Sequence, residues 1–561
     1  MQNDHTYDAI VVGSGMTGGW AAKELTEKGL KTLVLERGRD VKHVQDYPTA
    51  QKPPWQFEHR GHLTKDEKDQ YHIQHTKYNF DASSKHFFVN DKEHPYVQEK
   101  PFWWFRGYQT GGRSLLWGRG AYRFSDLEFE ANLKDGVGVD WPIRYKDISR
   151  WYDYVEEFIG VAGSKENIWQ FPDGKFLPPF ELNAGEKVVK ERLEAHYPDR
   201  KLIPNRVAHI TQAKPGQFKG RGPCQSRNMC HRGCPYGAFF SSNSSTLPAA
   251  YDTGNLTLQS HALVESVIYD DQKDRVTGVR VIDSETRETT EYFAKVIFLC
   301  ASTLPSTAIL LNSKTPRFSD GLANSSGVLG HYLMDHHGGI SGSGILEGYE
   351  DRVYSGSRPA MVAIPRFRNI ASQEMDFLRG YGVWGGASRV KLNTSQVGIG
   401  PDLKEKMNKY GPWSMTLGCQ SETLPNFDNK VTIDEDNRDA HGMPMLKISA
   451  AYGDNERRMR VDIKEQIGEM LEVMGLKNIS VNESEAIFGN TVHEMGTARM
   501  GRDPKTSVLN AFNQCHDVPN LFVTDGSCMT SSGNVSTSLT YMALTARAVD
   551  YAVREMQKGN I

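Results

Sequence analysis

The chain has no excess of either charge. Its 66 Lys and Arg stand against 69 Asp and Glu, a formal net charge of −3, so it lacks the electrostatic footprint of a nucleic-acid or anionic-membrane binder. Long apolar runs are also missing. The longest, Val296 to Leu311, is interrupted by Ser302, Thr303, Pro305, Ser306 and Thr307 and falls short of the ~20 residues a membrane span needs. The opening residues, Met1 to Tyr7, show no basic region, twin arginine or apolar stretch, so the expected location is the cytoplasm, or the periplasm if a partner subunit exports the chain. Cysteine is scarce: seven in 561 residues, too few and too odd in number for a disulfide scaffold. There is no internal repeat and no low-complexity tract. What remains is an ordinary globular composition with material for two to four domains at roughly 100–200 residues each.

Tyr7 to Val12 reads as a buried strand, Gly18 to Lys28 as a helix with Trp20, Ala21 and Leu25 on one face, and Thr32 to Leu35 as a second strand. Leu256 to Tyr269, Val276 to Ile282 and Lys295 to Cys300 are further strand candidates, and Ser538 to Gln557 is a long amphipathic helix after the strand Leu521 to Val523. The expected architecture is α/β: a nucleotide-binding domain from 1–41, 102–125, 223–316 and 486–561, interleaved with a second, α+β domain from 42–101, 126–222 and 317–485.

Gly13-Ser14-Gly15-Met16-Thr17-Gly18 is G-x-G-x-x-G between a strand and a helix, and Glu36 ends the next strand. In such a loop Gly13 makes the tight turn, Gly15 admits a pyrophosphate to the backbone and Gly18 lets helix and strand approach, while Glu36 accepts ribose hydroxyls. FAD and NAD both fit. NADP is disfavoured because Glu36 would repel a 2′-phosphate, an argument that Arg37 beside it weakens slightly.

Near the other end stand His493-Glu494-Met495-Gly496-Thr497, then Asp525-Gly526-Ser527, then Gly533-Asn534-Val535. With Thr110-Gly111-Gly112-Arg113-Ser114-Leu115-Leu116-Trp117-Gly118, these blocks resemble the glucose-methanol-choline (GMC) family of FAD oxidoreductases over nearly the whole chain. The resemblance implies a Rossmann-like FAD domain with an α+β substrate domain, His493 as catalytic base and Asn534 as its partner. It also implies FAD contacts from Asp525, Gly526 and the loop Gly111, Gly112, Ser114 and Trp117, with Val264 at the adenine. Trp117 is closer to the pyranose oxidase branch and bacterial sugar dehydrogenases than to the many members with Asn there. In pyranose oxidases a His before that Trp binds flavin covalently. Here it is Leu116, which has no nucleophile, so noncovalent FAD is expected.

The pair makes chemical sense. Hydride transfer from a carbinol carbon to flavin N5 leaves an oxyanion unless a base removes the hydroxyl proton, and a neutral imidazole suits that role near pH 7. Asn534 would hold the substrate oxygen by a hydrogen bond without adding charge.

Cys224, Cys230 and Cys234 form Cys-x5-Cys-x3-Cys-Pro within eleven residues. Thiolates that close suit an iron-sulfur centre, zinc with His231 as a fourth ligand, or a structural trio. The spacing resembles the catalytic subunit of bacterial FAD-dependent glucose dehydrogenases, which implies a [3Fe-4S] cluster taking electrons from flavin to a cytochrome, a dehydrogenase rather than an oxidase, and a small partner subunit. Aromatic residues from Phe102 to Tyr108 could form a sugar platform, although packing a domain junction is the commoner role of such a cluster. The run Gly330 to His336 resembles bacterial glucoside 3-dehydrogenases, which implies oxidation of the C3 hydroxyl of glucose or glucosides to a 3-keto sugar. A pyranose oxidase-like oxidase, a polyol or gluconate dehydrogenase, and a non-catalytic electron-transfer flavoprotein are the alternatives.

Overall fold

The computed structural model describes residues 5–352, 359, 361–390 and 399–561. Strand β1 (Thr6–Val12) runs into helix α1 (Met16–Glu27) through the glycine loop, and β2 (Thr32–Leu35) returns beside β1. Both neighbours of β1 are parallel to it: β2 on one side, and Thr289–Leu299 on the other. Leu256–Gln259 extends the parallel set beyond β2, and Leu521–Val523 pairs with the end of Thr289–Leu299. Ala262–Asp270 and Arg275–Asp283 add an antiparallel hairpin, completing seven strands.

This sheet is covered on both faces, as crossover helices require of parallel strands. Ile10, Val12, Leu33, Leu35, Ile297 and Leu299 join one core, while Ala9, Val11, Val34, Val296 and Phe298 join the core on the other side. The near-continuous apolar text of these strands is the sequence form of that double burial. Helix α1 packs against the carboxyl-terminal helix Ser538–Gln557.

A second, six-stranded antiparallel sheet has the order 477–483, 340–346, 413–421, 381–389, 362–364, 203–204. Tyr381, Val383, Met415 and Leu417 point from one face onto Met459, Ile463, Ile467 and Met470 of the helix Asp454–Val473. Truncating one such side chain to Ala costs about 2–5 kcal/mol. From the opposite face Trp384 packs toward the core that contains β1, beside Tyr122 at 5.0 Å between ring centroids. Two isolated bridges, Met334 with Met495 and His337 with Ser421, tie the carboxyl-terminal histidine segment to this sheet's edge. Among the described residues no helix is long and apolar enough to cross a membrane.

Candidate active site

A cavity of about 420 Å³ opens where the two halves meet. Its wall at one end is the glycine loop. Gly13 has φ +95° and carries no room for a side chain, since a Cβ would lie 2.6 Å from Cys300 O; a Cβ on Gly18 would lie 1.9 Å from Gly13 O. Gly15 differs: its Cβ position is open space, and the residue lines the cavity. Helix α1 starts there with no side-chain cap and no acid in its first turn, so its first N–H groups and dipole are left for an anion.

Glu36 is buried and lines the same cavity. Its carboxylate accepts from Ser14 Oγ (2.5 Å), Ser14 N–H (3.2 Å) and Gly38 N–H (3.0 Å), while burial raises its pKa. Arg37 lines the cavity and stacks over Tyr108, 3.9 Å from the ring centroid. Val264, Asp525 and Gly526 also belong to the wall. Asp525 accepts from Ser527 N–H (3.0 Å) and Ser306 Oγ.

From the loop after the aromatic run, Gly112, Ser114, Leu116 and Trp117 face the cavity. Trp117 is anchored by its Nε1–H to Phe240 O at 2.9 Å. Gly111 and Gly18 are not wall residues; they are packing glycines, and a Cβ on Gly111 would strike Asn243 Oδ1 at 1.7 Å. Phe102, Trp104 and Phe105 are buried. Phe102 stacks on Phe488, whereas Trp104 and Phe105 back the cavity.

His493 lines the cavity. Its backbone N–H donates to Asp335 Oδ1 (3.0 Å), which also binds Thr491 through its hydroxyl. Burial pushes Asp335 up to about 6. His493 Nδ1 lies 2.9 Å from Nδ1 of His336, with the rings nearly perpendicular. His336 Nε2 faces two carbonyls, Gly533 O at 3.0 Å and Ser532 O at 3.2 Å. Carbonyls only accept, so that nitrogen carries the hydrogen. Burial holds His336 down at about 4, so it is neutral at pH 7 and its Nδ1 is an acceptor. Gln420 Nε2 lies 2.8 Å from that Nδ1 and 3.0 Å from His493 Nδ1, so the amide and the two imidazoles meet at one junction. His493 Nδ1 is turned into this junction, which leaves Nε2 as the ring nitrogen with no protein partner among the described residues. Desolvation, with His336, Lys77 and Arg113 nearby, lowers the His493 pKa well below its ordinary value.

Asn534 is placed otherwise than His493. It is buried, it is not in the cavity wall, and its Nδ2–H donates to Glu128 Oε1 at 2.8 Å. Burial and the nearby Glu422 push Glu128 up to about 7.

Sequence reasoning assigned no role to four residues here. His336 was visible only inside a longer run. Arg113, in the flavin-loop block, clamps Glu494 with two bonds, 2.8 and 3.2 Å, and Glu494 follows the candidate base directly. Lys77 lines the cavity, donates to Asn490 O and lies 4.8 Å from the Phe105 ring centroid; burial lowers its pKa to about 8. Gln420 comes from the six-stranded sheet. A half-buried lysine or glutamine in a long insertion leaves no periodic signal to find it by.

Cys224, Cys230 and Cys234 are free, half-buried thiols around one small cavity of about 30 Å³. The histidine in that wall is His209, with Nε2 3.9 Å from Cys230 Sγ; His231 is not part of the wall. Arg119 connects the two cavities electrostatically: it lines the larger one, and its charge lowers the thiol pKa values of Cys224 and Cys230 that burial raises. The donor set suits an iron-sulfur centre. Among the described residues no three His, Cys, Asp or Glu side chains are spaced to hold a metal ion.

GMC oxidoreductase profiles match residues 7–337 and 425–545. The chain belongs to the GMC oxidoreductases. It is thus an FAD-dependent oxidoreductase acting on CH–OH groups, and the uncapped helix, open Gly15 and buried Glu36 fit that dinucleotide. It is 24% identical to the fructose dehydrogenase large subunit of Gluconobacter japonicus, across 98% of both chains. It is 26% identical to the gluconate 2-dehydrogenase flavoprotein of Pantoea cypripedii, across 92% of this chain and 88% of the other. Pyridoxine 4-oxidase from Mesorbium loti shares the fold, with a TM-score of 0.59 and 16% identity over 98% of this chain and 99% of that one.

Proposed function

We propose that this GMC enzyme is a sugar dehydrogenase that oxidises a secondary hydroxyl, the C3 hydroxyl of glucose or a glucoside, to the 3-keto sugar. The observation that carries the reading is the His493 imidazole, its pKa lowered by burial and its Nδ1 engaged by His336 and Gln420, in the cavity that the phosphate loop also lines. FAD, bound noncovalently beside Leu116, would accept the hydride. His493 takes the hydroxyl proton, and Lys77 places a positive charge in the same cavity where the alkoxide develops. In this reading His493 is the catalytic base, positioned by His336, whereas Asn534 is turned onto Glu128 behind the cavity wall.

Cys224, Cys230 and Cys234 would hold a [3Fe-4S] cluster, which would supply one-electron transfer toward a cytochrome, and a small subunit would complete the enzyme and carry it to the periplasm. Support comes from the cysteine spacing, the shared thiol cavity next to the cofactor cavity, and relatives named as a large subunit and as a dehydrogenase flavoprotein. A screen of pyranosides and polyols with a dye acceptor, followed by NMR location of the new carbonyl, tests the substrate. A 3-keto glucoside is expected. Turnover confined to polyols, gluconate or aliphatic diols would refute the reading, and rapid turnover with oxygen by iron-free enzyme would make it an oxidase.

A further inference from the structure

Resting on the sugar reading, we infer that the six-stranded sheet carries a second carbohydrate subsite beside the reaction centre, which receives the aglycone or next sugar of a glycoside. The register of the sheet builds it. Asn482 opposes Ser341, Ser341 opposes Gly418, and Gly418 opposes Trp384. Residues directly opposed across antiparallel strands share a face, so these four form one row. Thr416 and Gln420 flank Gly418 at a spacing of two and point to the same side, whereas Met415 and Leu417 fill the core on the other. Gln420 is the residue that touches His336 and His493. The row therefore leads away from the catalytic histidines.

Its chemistry is that of a sugar site. Trp384 supplies an indole backed by Tyr122, and its Nε1 is buried without a hydrogen-bond partner. Such a donor costs free energy unless an acceptor arrives. Gly418 leaves the floor beside it open, and Ser341, Thr416 and Asn482 offer hydroxyl and amide groups. The cavity over these residues has about 900 Å³, toward the upper end of the roughly 300–1,000 Å³ usual for small-molecule sites. A lone hexose would fill only a fraction of it. A reacting sugar at His493 with its substituent along the row would occupy both.

The test uses the purified holoenzyme and compares kcat/KM for a hexose, its methyl glycoside and a disaccharide, with a dye acceptor. A Cβ at Gly418 meets only Ile340 O at 3.7 Å and Trp384 O at 4.0 Å, so Gly418→Leu fits the strand and fills the trough. The ratio of disaccharide to hexose kcat/KM should fall about tenfold or more in Gly418→Leu and about threefold in Trp384→Phe, which loses the N–H donor. Calorimetry should show weakened disaccharide binding in the same order. Flavin-replete variants with an unchanged ratio would overturn the subsite while leaving a sugar dehydrogenase. Flavin bleached by none of the three sugars in the unmodified enzyme would remove the sugar reading and the subsite together.

Discussion

The cofactor cavity and the cysteine loop lie side by side, yet they are prepared to very different degrees. Around the cavity the protein has already partnered several of its groups: Glu36 is bonded three times, Trp117 is anchored, and His336 and His493 meet through their Nδ1 atoms. Around the cysteines it has not. His209 Nδ1 and His231 Nδ1 are buried without partners, and among the described residues no three ligating side chains are spaced to hold a metal ion. Preorganisation marks the place where chemistry must begin without delay, because reorganisation energy enters the barrier directly. Unsatisfied groups mark a place whose geometry is completed by what binds there.

The largest expected effect breaks the prepared side. Gly18→Ala puts a methyl group 1.9 Å from Gly13 O, so the protein should be recovered colourless or insoluble; a yellow, flavin-replete Gly18→Ala protein would refute the loop's role. Cys230→Ser tests the unprepared side. Iron should be lost and cytochrome reduction should fall by an order of magnitude or more, while sugar still bleaches the flavin at near the unmodified rate. Iron analysis and low-temperature EPR check the first point, and anaerobic stopped-flow the second. Asn534→Ala should be milder, about tenfold in flavin reduction, because the residue bonds to Glu128 rather than lining the cavity. The smallest effect is on pH. His493 must be neutral to act, and its pKa is lowered, so the acid limb of flavin reduction should lie below the ordinary histidine range near 6.5. A limb at or above that value would show a base that is not shielded by His336.

Much of the nucleotide-binding half is legible in the sequence. β1, β2 and the helix Ser538–Gln557 fall where hydrophobic pattern puts them, because buried parallel strands write continuous apolar runs and the helix writes a 3.6-residue period. Leu256 to Tyr269 reads as one strand but is two, separated by the turn at Ser260 and His261. The six-stranded sheet is nearly invisible. Its strands, such as Ile340–Leu346 and Tyr381–Arg389, are rich in Gly and Ser, residues with little strand preference that are used here to open one face. The site divides in the same way. His493 and the glycine loops sit in spaced motifs, whereas Lys77 reaches the cavity, and His336 and Gln420 reach His493, only through tertiary packing, which leaves no spacing to read.

The central claim is that His493 is the base of a flavin-dependent alcohol oxidation. Anaerobic mixing of the yellow holoenzyme with a glucoside, followed at the flavin absorbance band, tests it most directly. His493→Ala should retain FAD and reduce it about 10² to 10⁴ times more slowly. Flavin reduction by His493→Ala at close to the unmodified rate would contradict the claim and move the base to another residue.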